Sequence, residues 1–181
     1  MRIWPGLTWS PDTKDWSWID QRGKALIPLS EDPESVEWGM IFAAFSPIIL
    51  DDEIRIYYSA QQKRHDFWQP GWLGLATLRA DGWAGYEPKD ESKDAVVETQ
   101  AIVCNGRTLS LAADAENGSI VVTLKDAKGN ALAESHPLSG SKPYMPVQWK
   151  KGFKLLAHKG KHVRLGFKIN HAKLYAFKFD E

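Results

Sequence analysis

The sequence predicts an all-β chain made of two units, and three observations carry that expectation. Segments rich in Val, Ile, Leu, Tyr, Phe and Trp recur at intervals of about ten residues with Gly, Asp, Asn or Pro between them, the spacing of sandwiches, barrels and propellers. No stretch keeps the apolar period of a helix. Eight of the nine tryptophans (Trp4, Trp9, Trp16, Trp18, Trp38, Trp68, Trp72 and Trp83) precede residue 84, and only Trp149 follows. The two ends of the chain therefore differ in core chemistry. The charged run EPKDESKD at 87–94 places a linker near residues 87–95, between a unit of residues 1–90 and one of residues 91–181.

Taken in order, strands are predicted near residues 2–10 and 16–20, joined as a hairpin through SPDTKDW at 10–16. In that turn Asp12 is of a type that hydrogen-bonds its own backbone, a structural role. Next comes WGMIFAAFSPIILDDEIRIYYSA, residues 38–60, with strands at 43–50 and 53–60 around a turn of Asp51 and Asp52. Its first strand is apolar on both faces, so both faces need cover. Strands at 72–80 and 83–87 are expected to pair across the tight turn of RADGW. Four strands in such a meander are the make-up of one propeller blade, with the doubly apolar strand innermost. The preceding hairpin then reads as the outer half of another blade, giving a partial β-propeller of about one and a half blades that looks cut from a larger ring.

After the linker, strands are predicted near 96–104, 108–113, 119–125, 131–134, 143–149, 163–169 and 173–179, an antiparallel β-sandwich of about seven or eight strands. DAENG at 114–118 gathers oxygen ligands without the full spacing of a calcium loop and reads as a turn. KDAKGNAL reads as a hairpin turn. GKHVRLGFKINHAKLYAFKF reads as a hairpin alternating apolar and basic residues, with one dry face and one wet.

Composition sets limits on partners. Lys plus Arg number 23 and Asp plus Glu also 23, so no net field draws the protein to nucleic acid or an anionic membrane. The basic residues between Lys150 and Lys173 fit a solvated sandwich face. A single cysteine, Cys104, excludes an internal disulfide framework and a cysteine zinc site. His136, His158, His162 and His171 show no metal spacing, and no metal or other cofactor is expected. No apolar run approaches the roughly 20 residues of a spanning helix, and MRIWPGLTWS lacks the apolar core of a signal peptide. No compartment is assigned. A phosphate-cradling glycine loop and a Gly-x-Ser-x-Gly elbow are both missing from the sequence.

The order LTWSPDTKDW, then EWGMIFAAFSPIILDDEIRIYYSA, then GLATLRADGW resembles the closing part of the five-bladed propeller of glycoside hydrolases of the arabinanase, invertase and mannoside phosphorylase kind. The tail VQWKKGFKLLAHKGKHVRLGFKINHAKLYAFKF resembles the C-terminal β-sandwich that follows such a propeller. SPDTKDW, ending at Trp16, looks like a degenerate Asp-box turn. The resemblance implies that catalytic carboxylates come from the innermost strands of earlier blades, where an acid and a base or nucleophile flank the glycosidic bond. No position here matches those motifs, so no catalytic residue is carried over.

Four residues are candidates for sugar contact. Glu37 precedes the apolar strand in the family-like pattern acidic-x-Gly-Met, which implies a place near the channel mouth; the plainer reading is a loop glutamate that caps an amide or is solvated. His65, in QQKRHDFWQPG, is either a hydrogen-bond donor to a sugar hydroxyl or a surface histidine. Tyr58 and Trp68, with Tyr57 and Trp72, raise the choice between stacking on a sugar and packing in a core. Tyr57 and Tyr58 point to opposite faces of their strand, so at least one packs inward. Trp68 is the expected exposed platform.

The function these readings imply is that of a C-terminal, accessory segment of a glycosidase-like carbohydrate-active protein. The alternative is a self-standing carbohydrate-binding module that uses exposed aromatics. Carbohydrate is the expected partner, and self-association through an uncovered blade face is expected as well.

Overall fold

The computed structural model describes residues 1–181 apart from Asp20, Asp66 and Phe67. The predicted end of the second strand, Asp20, and two residues of the 61–71 loop therefore lie outside the described residues. The fold is all-β, with antiparallel sheets and no α-helix among the described residues. It divides into two compact units, Met1–Leu78 and Arg79–Glu181.

In the first unit, β1 (Thr8–Trp9) and β2 (Ser17–Trp18) form the expected hairpin, with Thr8 opposite Trp18 and Trp9 opposite Ser17. Asp12 closes its turn, accepting from the amides of Lys14 at 2.9 Å and Asp15 at 3.0 Å. The long strand expected at 2–10 is shorter in fact. Ile3 and Gly6 form only single bridges, and Pro5 between them has no N–H to give a ladder.

The apolar strand expected at 43–50 is split into β3 (Met40–Ala43) and β4 (Ile48–Ile49), both antiparallel to β5 (Glu53–Gln61). Met40 to Ala43 lie against Gln61 to Tyr58, and Ile48 and Ile49 against Arg55 and Ile54. Pro47 sits in the gap, where a ladder donor is missing. The remaining strand, β6 (Trp72–Arg79), also pairs with β5. Ile3 adds to β3 in parallel, its amide donating to Gly39 at 3.2 Å and its carbonyl accepting from Ile41 at 2.9 Å.

Alternation in β5 sorts this sheet into two faces. Ile54, Ile56, Tyr58 and Ala60 are buried, as is Ile41 opposite Ala60. Tyr57 is exposed on the other face, together with Phe42, opposite Ser59, and Ile48, opposite Arg55. Gly74 of β6 lies against the ring of Tyr58, so its neighbours Leu73 and Leu75 belong to the Tyr57 face. Both are exposed, Leu73 by 80%. The sheet is thus apolar on both faces, and one of them is uncovered.

The strand expected at 83–87 does not form. Tyr86 makes only a bridge to Leu174, donating at 2.8 Å and accepting at 2.9 Å. Its backbone groups are engaged by a partner far along the chain, and the RADGW turn folds back on itself through Gly82 N–H to Arg79 O at 3.0 Å. No second strand of a hairpin follows the turn.

The second unit is built on β9 (Thr108–Asp126), one strand of 19 residues where two strands parted by a DAENG turn are expected. Around it lie β7 (Ala95–Glu98), β8 (Ile102–Val103), β10 (Ala131–Glu134), β11 (Leu138–Gly140), β12 (Met145–Pro146), β13 (His162–Asn170) and β14 (Lys173–Asp180). The strand expected at 143–149 is cut to β12, and two 3-10 turns, Lys150–Gly152 and Leu155–His158, follow.

β13 and β14 do not form a hairpin with each other. Both run antiparallel to β9, β13 along Ser119 to Asp126 and β14 along Thr108 to Asp114. DAENG is therefore the outside of a corner at which one long ladder bends. β12 joins the half shared with β14, whereas β10 and β11 join the other half and β7 and β8 extend it from β13. The inward side chains of β9 change from odd to even numbers across the bend: Leu109, Leu111, Ala113 and Ala115 before it, Ile120, Val122 and Leu124 after it, all buried. Extra residues at a corner let one strand serve two sheets around one core.

That core unites both halves of β9 with Val163, Leu165, Phe167, Ile169 and Leu174, giving a sandwich-like arrangement. The alternation expected of β13 is present, with Lys168 outside and Phe167 and Ile169 fully inside. At the corner a Cβ on Gly118 would stand 2.0 Å from Asn170 O, so only glycine lets the two chains bend together. The KDAKGNAL turn is as expected, with Asp126 Oδ1 accepting from the amides of Lys128 and Asn130, both at 2.9 Å. Residues 87–95 belong to this unit, held by Lys173–Glu87 at 2.9 Å and Lys168–Asp94 at 2.8 Å.

Candidate functional site

Of the four candidates for sugar contact, Glu37 and Tyr58 come together. β5 directs Tyr58 to the buried face, where its ring lies so close to β6 that a Cβ on Gly74 would be 2.2 Å from the ring. Its hydroxyl donates to Glu37 Oε1 at 2.5 Å. The backbone of Glu37 is fixed on both sides, its carbonyl accepting from Ser30 N–H at 3.1 Å and its amide donating to Ser35 Oγ at 3.2 Å. The Glu37 carboxylate is half-buried and held by a phenol.

The bond to Glu37, then burial, then the negative charge of Glu37 push the Tyr58 hydroxyl up from 10.0 to about 12. Tyr58 is thus a fixed, neutral donor. With Oε1 engaged, the other carboxylate oxygen of Glu37 can accept from a ligand, and the phenol oxygen retains an acceptor site.

Trp38, next in sequence, has two guanidinium groups against its ring: Arg2 at 4.9 Å and Arg64 at 5.6 Å from the ring centroid. Arg2 also ties the N-terminal segment down, donating to Trp38 O and to Ser30 O, each at 2.8 Å. The following loop is clamped by Gln69, whose amide accepts from Lys63 N–H and donates to Lys63 O at 2.9 Å. Its other anchor is Gln62 Nε2 to Pro33 O at 3.2 Å.

His65 and Trp68 belong to that loop. Trp68 is 92% exposed, as expected of a platform, and His65 is exposed, its amide donating to Met1 O at 3.3 Å. Among the described residues neither is hydrogen-bonded through its side chain to Glu37 or Tyr58. Trp72, Trp4, Trp9, Trp16 and Trp18 are also exposed, as is Tyr57.

Gly74, Gln69 and the arginines around Trp38 were not singled out by sequence reasoning. Gly74 had a readable signal, since a glycine inside a strand often marks close approach by a neighbour. Gln69 and the arginines had none. Asp12 is held low by the amides of Asp15 and Lys14, in keeping with its turn-closing role. Among the described residues no group of three or more His, Cys, Asp or Glu is placed to hold a metal ion.

No protein-family model matches the chain, and no curated protein and no solved structure matches it.

Proposed function

We propose that this chain is the C-terminal, accessory segment of a glycosidase-like carbohydrate-active protein, in which the unit Met1–Leu78 is part of a propeller and the unit Arg79–Glu181 an accessory sandwich. The observation that carries the reading is the sheet of β3 to β6, apolar on both faces, with Phe42, Ile48, Tyr57, Leu73 and Leu75 exposed on one of them. A propeller blade needs such faces because blades stack on each other. The motif order of residues 7–83 and of the tail supports the same reading. In it Glu37 accepts from a sugar hydroxyl, Tyr58 holds Glu37 in place, and His65 and Trp68 supply a donor and a stacking ring. The segment contributes no catalytic carboxylate.

Immunoblotting the native source with an antibody against residues 91–181 tests this. A polypeptide longer than 181 residues is expected, and a native product of this length alone would overturn the reading. Aryl glycosides should not turn over above a blank with this chain.

A second reading, a self-standing carbohydrate-binding module, is favoured by the exposed Trp9, Trp16, Trp68 and Trp72, since flat rings stack on sugars. Affinity electrophoresis over a panel of glycans separates the two. Retardation by one neutral polymer, lost in Trp9→Ala or Trp16→Ala, supports the module; none supports the scaffold, whose sugar contacts need the rest of the propeller.

A further inference from the structure

We infer that the two 3-10 turns after β12 form a basic lobe that docks an acidic polysaccharide, one whose sugars carry uronate groups. From Ser135 to Phe179 the sequence contains no acidic residue. The basic residues between Lys150 and Lys173 nevertheless divide sharply in the fold. Lys150, Arg164, Lys168 and Lys173 are paired, with Glu134, Glu98, Asp94 and Glu87 in turn. Lys151, Lys154, Lys159 and Lys161 are exposed, and among the described residues none of their side chains is ion-paired or hydrogen-bonded.

The backbone that carries these four ammoniums is pinned. Leu155, only 2% exposed, belongs to the core, and Phe153 stacks on His158 with ring centroids 5.2 Å apart and meets Trp149 edge-on at 5.6 Å. Lys151 and Gly152, with φ of 54° and 64°, reverse the chain at the first turn. At the far end Cys104 N–H donates to Lys161 O at 2.9 Å, and Gly160 N–H donates to Cys104 O at 2.7 Å. Like charges gathered on a fixed segment repel one another, and a bound polyanion relieves that repulsion.

The make-up of the lobe selects among polyanions. Ammoniums are point charges suited to single carboxylates, whereas phosphate is gripped best by guanidinium forks, and no arginine lies between Lys150 and His162. Single-stranded nucleic acid also needs exposed rings for its bases, but Trp149 and Phe153 pack against the core. A membrane surface calls for an apolar face, and Leu156 is the one exposed large apolar side chain of the lobe. The choice of a polysaccharide rests on the carbohydrate reading above; the sign of its charge rests on the lobe alone.

The test is calorimetry of the full chain at low ionic strength with polygalacturonate, and in parallel with dextran, duplex DNA and phosphatidylglycerol vesicles. Polygalacturonate is expected to bind, more weakly as sodium chloride is raised, and dextran is not. The pair Lys151→Gln and Lys154→Gln, and the pair Lys159→Gln and Lys161→Gln, should each weaken binding about tenfold. The pair Lys168→Gln and Lys173→Gln changes the net charge equally but removes lysines already paired, and should alter affinity by less than about twofold. Trp9→Ala should leave it unchanged. Equal losses in all three lysine pairs would show a diffuse charge effect and overturn the inference; so would DNA or vesicles binding more tightly than polygalacturonate, or no binding by any probe. A longer native polypeptide on the immunoblot, with no polygalacturonate binding, would sink this inference and leave the accessory-segment reading in place.

Discussion

Without the hydroxyl of Tyr58, the half-buried carboxylate of Glu37 loses its donor, and Tyr58→Phe is expected to lower the unfolding free energy by about 1–2 kcal/mol in urea titrations. The pair also predicts a pH dependence. The hydroxyl titrates at about 12 in the folded chain against 10.0 ordinarily, so its contribution is fully present below pH 10 and is lost as the pH rises toward 12. Wild type and Tyr58→Phe should therefore converge in stability across that window. Absorbance at 295 nm should show one of the five tyrosines ionising late. Cys104 offers a second check at this scale: burial pushes its thiol up, so it should react with a disulfide reagent only on unfolding. Both members of the Glu37–Tyr58 pair were legible as candidates, but their contact was not. They stand 21 residues apart, and the approach depends on a backbone anchored by Ser30 and Ser35 and on the bare Cα of Gly74.

Strands whose faces differ in polarity could be read directly, and β5 and β13 show why. Ile54, Ile56, Tyr58 and Ala60 alternate with more exposed neighbours, and Val163, Leu165, Phe167 and Ile169 do so apart from the buried Gly166, so local pattern and final burial agree. DAENG misled because a polar, glycine-containing run has the same composition in a turn as on the outside of a bent strand. Residues 83–87 misled for another reason: their pairing partner is Leu174, which no local pattern reveals. The corner itself is testable. Gly118→Ala would set a methyl 2.0 Å from Asn170 O, and a loss of about 3 kcal/mol or more is expected in thermal melts. Gly129→Ala, where nothing lies within 4 Å of the added Cβ but φ is 94°, should cost only about 1 kcal/mol.

At the scale of the molecule the uncovered face of the β3 to β6 sheet should govern solution behaviour. Light scattering after size exclusion is expected to show mass rising with concentration, and the double variant Phe42→Glu, Leu73→Glu should remain a monomer. A wild-type monomer at high concentration would count against that. The all-β class could be read from the even spacing of apolar segments, whereas the bent ladder of β9 could not, because it joins regions distant in sequence. That distance also constrains how the protein is made. β9 is synthesised and emerges ahead of Val163 to Asp180, so its greasy odd and even rows wait without those neighbours until the tail follows. Closure of this ladder is a late, long-range step, slow by its topology, and the nascent chain should need shielding by a chaperone until β14 emerges.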